Sequence, residues 1–128
     1  MSKYLLDTHA IIWYLDDSAK LSAASRGIID NPENSIFICS VSLWEIAIKV
    51  SLHKLELGMT LEQLLSSIAS TDFTVLQIED AYIKSLLELP LIHKDPFDRL
   101  IIATALYEHM TIVSVDENIH QYDITCIW

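Results

Sequence analysis

Short apolar segments alternate with amphipathic segments along this chain. The apolar segments have almost no regular polar face, which is typical of strands buried on both sides of a parallel sheet. They predict strands at residues 4–6, 35–39, 73–78 and 111–115, and a short edge strand at 125–127. The segments between them have apolar residues at helical spacing, and predict helices at 8–15, 22–29, 42–51, 60–70, 81–87 and 96–109, with Thr8 capping the first.

Strands that alternate with helices in this way indicate an α/β fold with a mainly parallel sheet of four to five strands, flanked by helices. The length of 128 residues fits a single domain spanning residues 1–128. In such sheets, ligands bind beyond the carboxyl ends of the strands.

The composition narrows the class of protein further. Apolar residues make up 52% of the chain, yet no apolar run approaches the roughly 18 residues needed to span a bilayer. An acid at position 7 comes too early for a signal peptide, so Cys39 and Cys126 are expected to be reduced thiols. We therefore expect a cytoplasmic globular domain with no membrane association.

Four carboxylates occupy positions suited to metal ligands. Asp7 and Asp116 directly follow the predicted strands at 4–6 and 111–115, and Glu45 and Asp98 lie near the starts of two predicted helices. Such positions can converge at one edge of a parallel sheet. Oxygen ligands suit Mg²⁺ and Mn²⁺, and clustered carboxylates without a cation would repel one another. We predict a Mg²⁺ or Mn²⁺ site.

Each acid also has a purely structural explanation. Ser42 and Glu45 have the spacing of a capping box. Asp95 has the features of an N-cap, which would place Asp98 at the positive end of the helix dipole. Asp95 could also form an i,i+4 ion pair with Arg99. Asp7 and Asp116 could simply end a strand or begin a turn. Taken singly, each acid favours the structural explanation, but four such coincidences favour a shared site. Three neighbouring hydroxyl residues are candidates to orient the acids or a bound water: Thr8, Ser42 and Ser114.

The net charge of −10 complicates an activity on nucleic acid, because phosphates are bound by Lys and Arg and the chain has only eight of these. Two interpretations stay open. Either the chain does not bind nucleic acid, or metal ions and a local group of cations neutralise the phosphates. The candidate cations are Lys49, Lys54, Lys94 and Arg99. For Lys49, Lys94 and Arg99, an ion pair on a helix surface is the favoured explanation.

Several segments together resemble the PIN-domain ribonucleases, and among them the VapC-like toxins of prokaryotic type II toxin–antitoxin systems. These segments are Leu5-Leu6-Asp7-Thr8-His9-Ala10, Ser42-Leu43-Trp44-Glu45-Ile46-Ala47-Ile48-Lys49, His93-Lys94-Asp95-Pro96-Phe97-Asp98-Arg99-Leu100-Ile101-Ile102-Ala103 and Ser114-Val115-Asp116. The resemblance implies a Rossmann-like three-layer α/β sandwich, a Mg²⁺- or Mn²⁺-dependent endoribonuclease, a homodimer and a cognate antitoxin.

The resemblance also assigns roles to residues. The acidic ligands of the family correspond to Asp7, Glu45, Asp98 and Asp116, with Asp95 and Ser114 matching its additional acid and hydroxyl positions. The segment after Asp116 departs from the family pattern because it contains no glycine.

Two other classes of protein remain to be compared. A phosphoacceptor receiver domain also has an acidic Mg²⁺ pocket, but it needs paired acids after its first strand and a lysine near its last, and this chain has neither. The other alternative is a catalytically inactive α/β protein-binding module whose acids serve only as helix caps.

Overall fold

The computed structural model describes residues 2–128. Within them are five strands and seven helices, and one or two helices follow each of the first four strands. In order, these are β1 (Lys3–Leu6), α1 (Thr8–Leu15), α2 (Ala23–Asp30), β2 (Ser35–Cys39), α3 (Ser40–Ser51), α4 (Leu61–Ala69), β3 (Thr74–Leu76), α5 (Asp80–Leu86), α6 (Pro96–Glu108), β4 (Thr111–Val113), α7 (Glu117–His120) and β5 (Cys126–Ile127).

The strands form one sheet in the order β3-β2-β1-β4-β5, and every neighbouring pair is parallel. The central strand β1 places Leu6 opposite Ile38 of β2 on one side and Val113 of β4 on the other. The chain fills one half of the sheet first and then returns to the other half. The boundary between β1 and β4 is therefore the topological switch point, where a crevice forms beyond the strand ends.

Helices cover both faces of the sheet, and successive strand residues alternate between the two faces. Leu5 and Ile112 belong to one apolar cluster, which also contains Ile101 of α6. Leu6 and Val113 belong to a second cluster, with Ile11 of α1. Two cores separated by a sheet make a three-layer α/β sandwich, which confirms the predicted fold class.

One predicted helix start and one predicted N-cap are wrong. Helix α3 begins at Ser40, because Val41 and Ser42 are already buried in the helix, and Cys39 is its N-cap without a side-chain hydrogen bond. The predicted capping box between Ser42 and Glu45 is therefore absent. A capping box forms at the start of α4 instead. In α1 the N-cap is Asp7 and not Thr8, which is the first helical residue.

Other boundaries differ at strand ends. Strand β3 ends at Leu76, and Ile78 beyond it is 46% exposed, so the predicted extension to residue 78 is wrong. Strand β4 ends at Val113, two residues before its predicted end. The short helix α7, in a segment expected to begin as a turn, is capped by Asp116. No helix of residues 2–128 is long and apolar enough to cross a membrane.

Candidate metal centre

Ser114 connects the two acids that flank the switch point. Its fully buried hydroxyl donates a hydrogen bond to Asp7 Oδ2 and accepts one from the Asp116 backbone N–H at 3.0 Å. The second oxygen of Asp7 accepts the Ala10 N–H at 2.8 Å. Burial raises the pKa of Asp7, and the Ser114 bond opposes that shift only in part. Asp7, Ser114 and Asp116 are thus connected by hydrogen bonds at the switch point.

Glu45 lies in the second turn of α3 and is only 3% exposed. Thr8 Oγ1 lies 2.6 Å from Glu45 Oε1 and 3.1 Å from Ser42 Oγ. A threonine has one hydroxyl proton, so Thr8 donates to the carboxylate and accepts from Ser42. Lys49 Nζ donates to Glu45 Oε2 at 2.5 Å, and this bond is the main reason that the pKa of Lys49 is raised. Both oxygens of Glu45 are thus held by side chains.

Asp98 lies in the first turn of α6, where Asp95 is the N-cap. Asp95 Oδ1 accepts the backbone N–H groups of Phe97 at 2.9 Å and of Asp98 at 3.0 Å, which confirms the predicted cap. His93 Nε2 lies 3.1 Å from Asp98 Oδ2. Burial, followed by repulsion from Asp95, raises the pKa of Asp98 to about 6.

The four acids act on one another electrostatically. Asp98 is destabilised as an anion by Asp95, Asp116 and Glu45, and Asp7 by Asp116. The fold therefore brings the predicted acids to one edge of the sheet. Within residues 2–128, however, no three His, Cys, Asp or Glu side chains form a group arranged to hold a metal ion. Metal ligation by these acids stays a prediction.

The donor chemistry of this edge fits a hard divalent cation. Each of the four side chains offers carboxylate oxygens, the ligands that Mg²⁺ and Mn²⁺ prefer. The positive charge placed among them is that of Lys49, which also interacts with Asp95 and Asp98. One lysine balances one carboxylate and leaves the others repelling each other, and a divalent cation would relieve that repulsion.

The candidate cations differ in their surroundings. The Arg99 guanidinium donates to the Pro90 carbonyl at 2.9 Å and to the Tyr122 hydroxyl at 3.0 Å. The predicted Arg99–Asp95 pair is absent among the ion pairs of residues 2–128. Lys54 and Lys94 are exposed. The structure therefore gives Arg99 a role in holding the chain near Pro90.

Trp44 and Phe97 directly precede Glu45 and Asp98 in helices α3 and α6. Their rings meet edge to face with centroids 5.5 Å apart, and Trp44 is 59% exposed. The pair joins the first turns of α3 to the start of α6.

Two residues of the site were missed by sequence reasoning. His93 contacts Asp98, and its position shortly before Asp95 was the one available signal. Tyr122 contacts both His93 and Arg99 through its hydroxyl, and no pattern in the sequence indicated it. A cavity of about 530 Å³ is lined in part by Tyr122 but by none of the four acids. The acids therefore lie outside it.

The fold and the site define an α/β sandwich with acids at its topological switch point. The family model described as the PIN domain matches residues 4–124, and the chain belongs to the PIN-domain family. No curated protein matches the chain in sequence.

Solved structures share the fold over nearly the whole chain. The VapBC2 structure from Rickettsia felis, bound to a promoter DNA fragment, matches with a TM-score of 0.70 and 19% identity, covering 98% of this chain and 97% of that one. FitAcB from Neisseria gonorrhoeae matches with a TM-score of 0.68 and 17% identity, covering 98% and 96%. A toxin–antitoxin complex from Klebsiella pneumoniae matches with a TM-score of 0.65 and 17% identity, also covering 98% and 96%.

Proposed function

We propose that this protein is a Mg²⁺- or Mn²⁺-dependent endoribonuclease and the toxin component of a type II toxin–antitoxin system. The observation that carries the proposal is the gathering of Asp7, Glu45, Asp98 and Asp116 at one edge of the sheet, where Asp116 acts electrostatically on Asp7 and on Asp98, and Glu45 acts on Asp98. A fold that gathers buried acids at its ligand-binding edge opposes its own stability, and a bound cation offsets that cost. PIN domains are in general nucleases, so membership of the family supports a hydrolase.

The chain's own residues would hold and orient the cation. Asp7, Glu45 and Asp98 are proposed as ligands, with Asp116 completing the site directly or through water. Ser114 fixes Asp7, and Thr8 fixes Glu45. A divalent cation in such a site lowers the pKa of water and offsets negative charge on a scissile phosphodiester.

One of the proposed partners is supported by a similar structure. The Klebsiella pneumoniae structure is a toxin–antitoxin complex, and the shared fold supports a cognate antitoxin for this chain. We propose RNA as substrate, a homodimer as the assembled form and the cytoplasm as the location. The acidic net charge of −10 suits a site that recruits RNA through bound cations more than through a broad basic surface.

The test is cleavage of a labelled, structured RNA by the purified chain with Mg²⁺ or Mn²⁺, and with EDTA. Cleavage is expected with either metal and not with EDTA. Asp7→Asn and Asp98→Asn are expected to lose activity, while Asp72→Asn, the same change at an exposed acid away from the site, keeps it. If Asp7→Asn and Asp98→Asn cleave as well as the parent, the assignment is wrong.

A binding module without activity is the second candidate, and one observation favours it. Asp7, Asp95 and Asp116 each accept a backbone N–H at a helix start, so capping alone explains part of the acid set. Capping does not explain Glu45 or Asp98, whose carboxylates accept no backbone hydrogen bond from any residue that the structure describes. Titration with Mn²⁺ separates the candidates, because a module of caps gives neither binding nor a rise in Tm.

A further inference from the structure

The His93 imidazole lies between Asp98 and a buried tyrosine. His93 Nε2 is 3.1 Å from Asp98 Oδ2, and His93 Nδ1 is 2.8 Å from the Tyr122 hydroxyl. The two rings meet edge to face with centroids 5.4 Å apart. Tyr122 is 4% exposed, and the His93 and Asp98 side chains are 12% and 15% exposed. The three side chains thus form a largely buried chain of hydrogen bonds that ends on a proposed metal ligand.

Counting protons gives the direction of each bond. The Tyr122 oxygen accepts from Arg99 Nη1 at 3.0 Å and from the His93 backbone N–H at 3.4 Å, and neither of these groups can accept in return. Both lone pairs of the hydroxyl are therefore used, and its single proton points to His93 Nδ1. Because Nδ1 accepts, the ring proton lies on Nε2 and is donated to Asp98 Oδ2.

This arrangement restrains a carboxylate that its neighbours repel. Asp98 is repelled by Asp95, Asp116 and Glu45. A free aspartate in that field would turn toward solvent, whereas the Nε2–H bond holds one oxygen and leaves the other for a cation. Outer partners of this kind orient metal ligands in many proteins.

We propose that Tyr122 and His93 are positioning residues, which hold the Asp98 carboxylate in the orientation that binds the divalent cation. This inference rests on the proposed metal site. It also gives a role to the segment after Asp116 that lacks glycine, since Tyr122 lies in it and Arg99 ties it to the Pro90 carbonyl. The segment that contains Tyr122 thereby positions Asp98, the proposed metal ligand on α6.

The experiment measures Mn²⁺ affinity without RNA, by calorimetry or by electron paramagnetic resonance of the free ion. Tyr122→Phe and His93→Leu are expected to weaken Mn²⁺ binding by about 10-fold or more. His93→Gln is expected to recover most of that loss, because its amide can still donate to Asp98. The matched control is Tyr82→Phe, which removes a buried hydroxyl bonded to Glu108 at 2.7 Å, and it is expected to leave Mn²⁺ affinity unchanged.

The outcomes separate this inference from the function on which it rests. If the parent binds Mn²⁺ and Tyr122→Phe binds it equally well, the positioning role is wrong and the metal site stands. If the parent does not bind Mn²⁺, both are wrong. A loss of affinity in Tyr82→Phe equal to that in Tyr122→Phe would show a general effect of stability and overturn the inference.

Imidazole nitrogen NMR of the metal-free parent gives an independent result that does not depend on how well the variants fold. The expected tautomer of His93 has its proton on Nε2. A parent with the proton on Nδ1 overturns the proposal.

Discussion

Replacing Thr8 by valine tests whether the fold supports a buried carboxylate through a single hydroxyl. Thr8 is 5% exposed and Glu45 is 3% exposed, and the bond between them is 2.6 Å long. Valine keeps the shape of threonine, so packing is preserved while Glu45 loses a donor and Ser42 loses an acceptor. A hydrogen bond to a charged group contributes about 1.5–3 kcal/mol, so we expect the free energy of unfolding to fall by about 2–3 kcal/mol.

The assay is urea and thermal unfolding at neutral pH with EDTA present. For a domain of this size the expected loss corresponds to a fall in Tm of roughly 6–12 °C. Thr104→Val is the matched control, because Thr104 is 1% exposed but donates to the Leu100 carbonyl of its own helix at 2.8 Å. Its loss is expected to be about 1 kcal/mol or less. Equal losses in the two variants would refute the view that Thr8 supports a charge.

Three further predictions concern stability. Because the pKa of Asp98 in the folded protein is raised to about 6, the metal-free parent should lose stability as pH rises from about 3.8 to about 6. Above that range Asp98→Asn should be more stable than the parent by about 1–2 kcal/mol, and below it the two should be equally stable. Urea unfolding with EDTA present measures both. Gly27→Ala should raise the free energy of unfolding by about 0.5–1 kcal/mol, because Gly27 lies in helix α2 and a Cβ there meets nothing within 4 Å. Gly58→Ala should give no such gain, because its Cβ would lie 2.2 Å from Asp16 Oδ1. A gain in stability at Gly58 as large as at Gly27 would contradict this. Arg99→Leu should lower Tm and leave the salt dependence of RNA binding unchanged, and a weaker salt dependence would show that Arg99 contacts phosphate.

The strands of the sheet could be predicted from the sequence because each one is indicated by a run of consecutive residues. The runs at residues 4–6 and 36–39 are apolar without interruption, and the structure forms β1 and β2 around them. The error at Ser42 has a tertiary cause. Its spacing to Glu45 matches a capping box, but burial of Val41 extends the helix back to Ser40 and turns Glu45 toward Thr8.

The connections within the site could not be predicted, because they join residues far apart in sequence. Thr8 and Glu45 are 37 positions apart, and Tyr122 and His93 are 29 apart. Sequence patterns indicated which acids follow strands or begin helices, but not which hydroxyl or imidazole would hold each one. Sequence position and family resemblance both indicated Ser114 and Asp95, while the roles of His93 and Tyr122 required the three-dimensional structure.

The bond between Ser114 and Asp7 spans 107 positions, so the first and last parts of the chain must meet before the acidic edge exists. Contacts of such sequence separation form late and slowly in folding. A chain still being synthesised has its first strand and Asp7 long before β4 is available to pair with it. The protein therefore cannot assemble its proposed metal site on the ribosome until β4 and Ser114 have emerged, however early β1 and Asp7 are made.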